Sequence, residues 1–231
     1  MRAGALALLL LAACGASPVP DDKVPGDAFP ATQRPVAPIV SSRFSTEEAR
    51  DRRRESDRVM DNAGIRPGMT VADIGAGEGY YTIRLAARVG PKGRVVAEDI
   101  LHAVRDQLAD RVIREALDNV SVRLGEPANP RLPAASFDRI FMVHMYHEVR
   151  RPYEFLWRMR PALTPTGQVI VVESDRPVME HGMPPRLIDC EFRAVGYRLL
   201  ERKPMPEVDG YMAIYAPSGP RPAPGAITVC A

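Results

Sequence analysis

The sequence has few of the features that mark the more specialised classes of protein. Only three of its 231 residues are cysteines, too few for a disulfide framework in a chain of this length. Its 31 lysines and arginines nearly balance 29 aspartates and glutamates, so the net charge of +2 does not indicate a nucleic-acid partner. It also lacks an apolar run of the about 20 residues that a membrane-crossing helix needs. With 45% hydrophobic and 26% charged residues, the composition favours a globular protein and excludes a fibrous, largely disordered or polytopic membrane protein.

Metal-binding and redox motifs are also missing. The four histidines, His102, His144, His147 and His181, do not have the spacing of a zinc-binding motif, so the sequence predicts no metal site. Cys190 and Cys230 remain a conceivable pair, although Cys230 lies in a proline-rich tail that we expect to be loose.

The beginning of the chain has the character of a targeting segment. A positively charged start is followed at residues 3–13 by 11 residues of Ala, Leu and one Gly, which is typical of a secretory signal peptide. Residues 11–15 read Leu-Ala-Ala-Cys-Gly, which resembles the lipobox of bacterial lipoproteins. The resemblance implies that Cys14 is acylated and that the chain is exported and lipid-anchored on the periplasmic side of a bacterial membrane. An ordinary cleaved signal peptide with a coincidental cysteine is the alternative.

Proline marks the ends of the folded region. Six prolines fall within residues 15–40, with few large apolar residues between them, so we expect residues 14–40 to be an extended tether. Residues 217–231 carry four more prolines and are expected to be a loose tail. The remaining residues, 41–216, have the size of one α/β domain.

Apolar strands alternate with amphipathic helices along this domain. The predicted helices are 45–62, with Ser45 as the N-cap, then 80–89, 102–117, 153–163 and 185–195; the predicted strands are 71–74, 94–97, 120–124, 139–143, 168–172, 197–200 and 211–215. This alternation predicts a doubly wound, mostly parallel (Rossmann-like) sheet of seven strands with helices on both faces.

A glycine-rich turn follows the first strand. Residues 71–79 read Val-Ala-Asp-Ile-Gly-Ala-Gly-Glu-Gly, a pattern in which backbone N–H groups at a helix start can face a bound ligand. The dinucleotide-binding pattern G-x-G-x-x-G fails because Tyr80 stands at the sixth position, which disfavours a nicotinamide-dependent dehydrogenase.

The observed spacing, G-x-G-x-G with Asp73 two residues ahead, resembles motif I of the class I S-adenosylmethionine-dependent methyltransferases. The resemblance extends over roughly residues 65–173 and implies S-adenosylmethionine as cofactor. It also implies that Asp73 helps to hold the methionine ammonium group and that the backbone of Gly75, Ala76 and Gly77 lies beneath the cofactor.

Two later segments match further parts of that family's cofactor site. Asp99, at the end of the second strand, matches the acid that binds the ribose hydroxyls, with Glu98 as its out-of-register competitor, and Ile100 is expected to pack on the adenine face. Glu126 matches the acid that accepts a hydrogen bond from the adenine amino group. Pro127 departs from the pattern because it has no N–H to offer the adenine ring.

The residues that follow the fourth strand are candidates for chemistry. His147 is a candidate general base with Glu148 as its orienting carboxylate, although a packing role under the cofactor is the simpler interpretation. His144 is expected to lie along the methionine moiety. Glu173, at the end of the fifth strand, is expected to be a solvated loop residue.

Taken together, the sequence predicts an exported, membrane-tethered S-adenosylmethionine-dependent methyltransferase. Its methyl acceptor, a small molecule or another kind of acceptor, is not identified by the sequence. A non-catalytic protein that binds a nucleoside or a related metabolite on the same fold is the alternative, and the cofactor-binding residues alone do not separate the two.

Overall fold

The computed structural model describes residues 21–39 and 46–230. The predicted signal peptide, Cys14 and the predicted N-cap Ser45 lie outside these residues. No helix in this part of the chain is both long enough and apolar enough to cross a membrane.

A seven-stranded sheet forms the centre of the protein, in the order β3-β2-β1-β4-β5-β7-β6. The strands are β1 (Thr70–Ile74), β2 (Arg94–Asp99), β3 (Val120–Leu124), β4 (Phe137–Val143), β5 (Leu163–Ser174), β6 (Tyr197–Met205) and β7 (Gly210–Pro217). The first five strands pair in parallel, and β7 is antiparallel to both of its neighbours. The predicted fold, a doubly wound and mostly parallel seven-stranded sheet, is therefore confirmed.

Helices cover both faces of the sheet. They are α1 (Glu47–Arg52), α2 (Glu55–Asn62), α3 (Tyr80–Val89), α4 (His102–Arg114), α5 (Pro152–Met159) and α6 (Pro185–Ala194). Neighbouring residues of β1 show the alternation, because Val71 belongs to the core cluster that includes residues of α2 and α3, whereas Ala72 belongs to the cluster that includes residues of α5 and α6. The carboxyl ends of β1, β2, β4 and β5 thus meet at one edge, where ligands bind in open α/β sheets.

The single helix predicted over residues 45–62 is in fact two helices. The Thr46 hydroxyl accepts a hydrogen bond from the Ala49 N–H and caps α1, and the chain breaks at Arg54, whose φ is +53°. The break redirects α2 so that Glu55 and Val59 are buried against the domain, which one continuous charged helix would not achieve.

The described part of the predicted tether is packed rather than loose. Phe29 is buried and its ring lies 5.2 Å from that of Trp157, while Arg34 is 8% exposed. The crossover from β3 to β4 contains no helix, and residues 21–39 pack on the same face of the sheet as α5 and α6. Composition alone misses these contacts because few large apolar residues are involved and many of the bonds run from arginines elsewhere in the chain to this segment, such as those from Arg158 to the carbonyl oxygens of Asp21 and Val24.

The proline-rich tail is also part of the folded body. Arg221 stacks over the Trp157 ring and binds Asp21 of the N-terminal segment, and Ile227 is buried. Cys230 forms a disulfide with Cys190 of α6, joining residues 40 positions apart. The expectation of a loose tail over the described residues 217–230 is therefore wrong.

Candidate functional site

The glycine-rich turn joins β1 to α3 at the carboxyl edge of the sheet. The N–H of Ala76 donates to the carbonyl oxygen of Glu98 at 2.9 Å, which ties the turn to β2. Gly79, with φ at +90°, faces α4, where a Cβ atom would lie 2.4 Å from Leu108. A Cβ atom at Gly77 would instead contact no atom of residues 21–39 or 46–230 within 4 Å, so these residues leave space above this part of the turn.

Asp99 ends β2 directly beside this turn. Its Oδ2 accepts a hydrogen bond from the Gly77 N–H at 3.1 Å and its Oδ1 accepts one from the Leu101 N–H at 2.9 Å. The residue is 8% exposed. Because a carboxylate offers about four lone-pair directions, these two bonds orient the group and leave two directions for a ligand.

Glu98, the alternative to Asp99 as the ribose-binding acid, is also buried, but its hydrogen bonding differs from that of Asp99. Its Oε1 has no hydrogen-bond partner in the part of the chain that the structure describes, and a Cβ atom at Gly125 would collide with it. Burial, together with the nearby charge of Asp99, raises the pKa of Glu98 to about 8. A largely protonated carboxyl group is a poor acceptor for hydrogen bonds from the two ribose hydroxyls. Asp99 is therefore the better candidate of the two for binding the ribose.

Asp73 lies on the neighbouring strand, with 3% of its surface exposed. Its Oδ2 accepts a hydrogen bond from the Thr82 hydroxyl of α3 at 2.7 Å. Burial raises the pKa of Asp73 to about 6, and the charge of Asp99 acts in the same direction. Asp73 is thus an anion at neutral pH that a neighbouring cation would stabilise.

The helices α1 and α2 contribute a network of charged and aromatic groups at this edge. Glu55, which is 2% exposed, accepts hydrogen bonds from Arg50 at 2.6 Å and from the Tyr81 hydroxyl at 3.1 Å. His144 has φ at +54°, and its Nε2 lies 3.5 Å from the same carboxylate. Although burial acts to raise it, His144 and Arg50 hold the pKa of Glu55 down at about 2. Arg50 also stacks on the Tyr80 ring, with 3.8 Å from the guanidinium carbon to the ring centre.

A buried carboxylate–imidazole pair lies past the end of β4. The Nδ1 atom of His147 is 2.9 Å from Oε2 of Glu173, with side-chain exposures of 3% and 0%. The backbone N–H of His147 also donates to Glu173, at 3.3 Å. Glu148, predicted to orient the imidazole, lies instead 4.0 Å from the other ring nitrogen, Nε2. The expectation that Glu173 is a solvated loop residue is wrong, because β5 extends to Ser174 and buries it.

The residues predicted to contact adenine, which are Ile100, Glu126 and Pro127, are less closely grouped than the residues around the glycine turn. Glu126 is exposed and forms an ion pair with Arg131, so its carboxylate is turned to a surface partner in this structure. Pro127 is exposed and borders a cavity of about 630 Å³, which Arg131, Arg151 and Arg158 also line. Ile100 is half-buried immediately after β2, next to Asp99.

Several residues of the site carry no signal in the sequence. Glu173 gains its partner His147 only from the fold, because the two are 26 positions apart, and the same separation applies to the Glu55–Tyr81 hydrogen bond. The one available hint was a carboxylate at the end of a strand, where parallel sheets position ligand-binding groups.

Comparison with known proteins finds relatives of the region that contains this site. Residues 71–167, which contain the glycine turn, Asp99 and the strand before His147, match the family described as "Methyltransferase domain". A nocamycin O-methyltransferase of Saccharothrix syringae is 42% identical over 81 residues, 35% of this chain and 29% of that protein. A ubiquinone/menaquinone biosynthesis C-methyltransferase of Idiomarina loihiensis is 33% identical over 124 residues, 52% of this chain and 48% of that protein. The chain therefore spans about half or less of the length of these curated relatives.

A solved structure matches more of the chain. A SAM-dependent methyltransferase from Aquifex aeolicus superimposes with a TM-score of 0.65 at 26% identity, covering 70% of this chain and 88% of that one. The [4+2]-cyclase SpnF, with a TM-score of 0.62 and 16% identity, shares the fold. Residues 71–167 therefore resemble a methyltransferase domain, and the chain has the fold of a SAM-dependent methyltransferase of known structure.

Proposed function

We propose that this protein transfers the methyl group of S-adenosylmethionine to a small-molecule acceptor. The observation that carries the proposal is the hydrogen bond from the Gly77 N–H to Asp99, which fixes the ribose-binding carboxylate against the glycine turn. When bound, S-adenosylmethionine supplies a methyl group activated by a sulfonium.

The residues at the turn fit that cofactor. Asp99 retains acceptor directions for two ribose hydroxyls, and Asp73 supplies an anion beside it for the methionine ammonium group. The space that the described residues leave above Gly77 gives room for the nucleoside against the backbone. Glu126 is the weakest member of the predicted set, because binding adenine would require it to leave Arg131.

The acceptor is expected on the side of β4 and β5. His147 is buried there and oriented by Glu173, and the network of Arg50, Glu55 and His144 lies at the same edge. Methyl transfer from a sulfonium requires mainly alignment and exclusion of water, which a site of buried and mutually bonded groups provides. The relatives are named for O- and C-methylation, so an oxygen or a carbon is the expected acceptor atom.

Radiolabelled S-adenosylmethionine tests this activity directly. The purified full-length chain is incubated with the labelled cofactor and a fractionated metabolite extract, and label in organic products is counted. We expect transfer that the Asp99→Asn variant loses and that the Asp106→Asn variant, changed at an exposed position of α4, retains. Binding of the cofactor without transfer to any fraction would favour the alternative, a non-catalytic metabolite-binding protein.

We also propose that the protein works outside the cytoplasm, anchored by a lipid on Cys14. The Leu-Ala-Ala-Cys-Gly sequence at residues 11–15 supports this location, and the Cys190–Cys230 disulfide is consistent with it because such bonds persist in oxidising compartments. Two or more acyl chains would anchor the body stably. Labelling with radioactive palmitate in a bacterial host should mark the parent chain and not Cys14→Ser; equal labelling of both would contradict the anchor.

A further inference from the structure

Three potential metal ligands converge beyond the ends of β4 and β5. His147 and Glu148 follow β4, and His181 lies in the loop after β5. One ligand atom from each of the three lies within 4.8 Å of the others, the one such group of histidines, cysteines and carboxylates found among residues 21–39 and 46–230. The spacing along the sequence conceals it, because His181 is 34 positions from His147.

His147 is oriented as metal-binding histidines are. The buried Glu173 carboxylate holds Nδ1 at 2.9 Å, which favours a proton on Nδ1 and leaves the lone pair on Nε2. That Nε2 atom faces Glu148, whose Oε1 lies 4.0 Å away. Ligand bonds of about 2.1 Å in tetrahedral geometry place ligand atoms about 3.4 Å apart, so modest closure completes the site.

The loop after β5 is built to present His181. Its ring centre lies 5.4 Å from that of His147, with the planes nearly perpendicular. A Cβ atom at Gly182 would lie 2.3 Å from the Arg176 side chain and 2.8 Å from the Ser174 carbonyl oxygen, so the turn closes only around glycine. The next residue, Met183, is fixed by a hydrogen bond from its N–H to the Ser174 carbonyl at 2.9 Å.

We propose that His147, His181 and Glu148 bind one divalent transition-metal ion, with Glu173 as the residue that positions His147. Two imidazoles and a carboxylate are a donor set that suits zinc, and three protein ligands leave a coordination position open. Because the metal would occupy the lone pair of Nε2, His147 would then be a ligand and not the general base that the sequence predicted.

Metal binding itself does not depend on the proposed methyltransferase activity. The use of the metal does depend on it. The open coordination position of the ion would hold an oxygen or nitrogen of the acceptor at the edge of the sheet where methyl transfer is proposed, and that role rests on the proposed function.

Calorimetric titration of the chelator-treated full-length chain with Zn²⁺ tests the site. We expect one ion per chain with a dissociation constant at or below about 1 μM, and a weakening of at least about 100-fold in His181→Ala and in Glu148→Gln. The matched controls His102→Ala and Glu180→Gln, both at exposed positions outside the cluster, should bind as the parent does. Glu173→Gln should weaken Zn²⁺ binding by about 10- to 100-fold while S-adenosylmethionine affinity stays unchanged.

Co²⁺ provides a second measurement through its visible absorption, which should appear on binding to the parent and be lost in His181→Ala. His181 is half-buried in a loop, so its replacement is compatible with folding, and Glu148→Gln is an independent check. The absence of one-to-one binding, or equal Zn²⁺ affinity in the parent and both ligand variants, would overturn the proposal. Titration of the metal-free chain with S-adenosylmethionine tests the proposed function separately. A failure of the metal site can therefore be distinguished from a failure of the proposed function.

Discussion

The guanidinium of Arg34 binds the carboxylate of Glu191 at 2.9 Å, and both side chains are buried although 157 positions separate them. The same guanidinium donates to the backbone carbonyls of Tyr146 and Val149, and the Tyr146 hydroxyl donates to Glu191 at 2.7 Å. The N-terminal segment therefore clamps the loop that carries His147, so the part of the chain expected to be a tether supports the candidate site.

Replacing Arg34 by Met should lower the free energy of unfolding by about 3–5 kcal/mol, because it leaves the Glu191 carboxylate buried without its cation. Urea denaturation of the full-length chain measures the change. Arg58→Met breaks the more exposed pair with Glu207 and should cost about 1 kcal/mol or less. Equal losses in the two variants would show that the N-terminal segment does not hold the loop.

Reduction of the Cys190–Cys230 disulfide should destabilise the protein by about 4 kcal/mol, since it releases a loop of about 40 residues in the unfolded chain. Thermal unfolding with and without reductant measures the effect. The Cys230→Ser variant should unfold at the same temperature under both conditions. Free thiols at both positions in the oxidised parent would contradict the pairing.

The pH dependence of stability should contain a contribution from Glu98. Burial raises the pKa of Glu98 in the folded state to about 8, from a reference near 4.5. Its contribution to the free energy of unfolding is therefore fully present below pH 4.5 and is lost as the pH rises to 8, because the folded protein must then bury an ionised carboxylate. Replacement by Gln, which resembles the neutral acid, should therefore become increasingly stabilising relative to the parent between pH 5 and 8. A difference between parent and variant that does not change over this range would contradict the assignment.

Cofactor binding should weaken in acid through Asp73. Because burial raises its pKa to about 6, the carboxyl becomes neutral below that pH and loses its attraction for an ammonium group. Calorimetric titrations of S-adenosylmethionine from pH 5 to 8 should show affinity rising up to about pH 6 and then levelling. In Asp73→Asn the affinity should be lower and nearly independent of pH; the parent's profile persisting in this variant would assign the titration to another group.

The sequence predicted most of the central sheet because β1, β4 and β7 are largely buried and appear as short apolar runs, while β3 alternates apolar and polar residues. The prediction for β3 matches the structure at both ends, and so does that for α3. It shortened β6, which extends to Met205, because residues 201–204 read Glu-Arg-Lys-Pro, a charged and proline-containing stretch that resembles a loop.

The cofactor side of the site was predictable to the extent that it is local in sequence. Asp73 and the glycine turn lie within five residues, and Asp99 ends the next strand. The contacts of His147 and Tyr146 were not predictable, since the partner of His147 comes from β5 and that of Tyr146 from α6. Such pairs depend on the order of the strands in the sheet and on helix packing. Neither can be predicted from the spacing of residues along the sequence.

The central claim is that Asp73, Asp99 and the glycine turn together bind S-adenosylmethionine. Calorimetric titration of the purified full-length chain with this cofactor at pH 7.5 tests it most directly, with Asp99→Asn and the exposed control Asp106→Asn alongside. We predict one site per chain, an affinity about 10- to 100-fold lower in Asp99→Asn, and no change in Asp106→Asn. No binding to the parent at millimolar cofactor, or equal affinity in the parent and Asp99→Asn, would contradict the account.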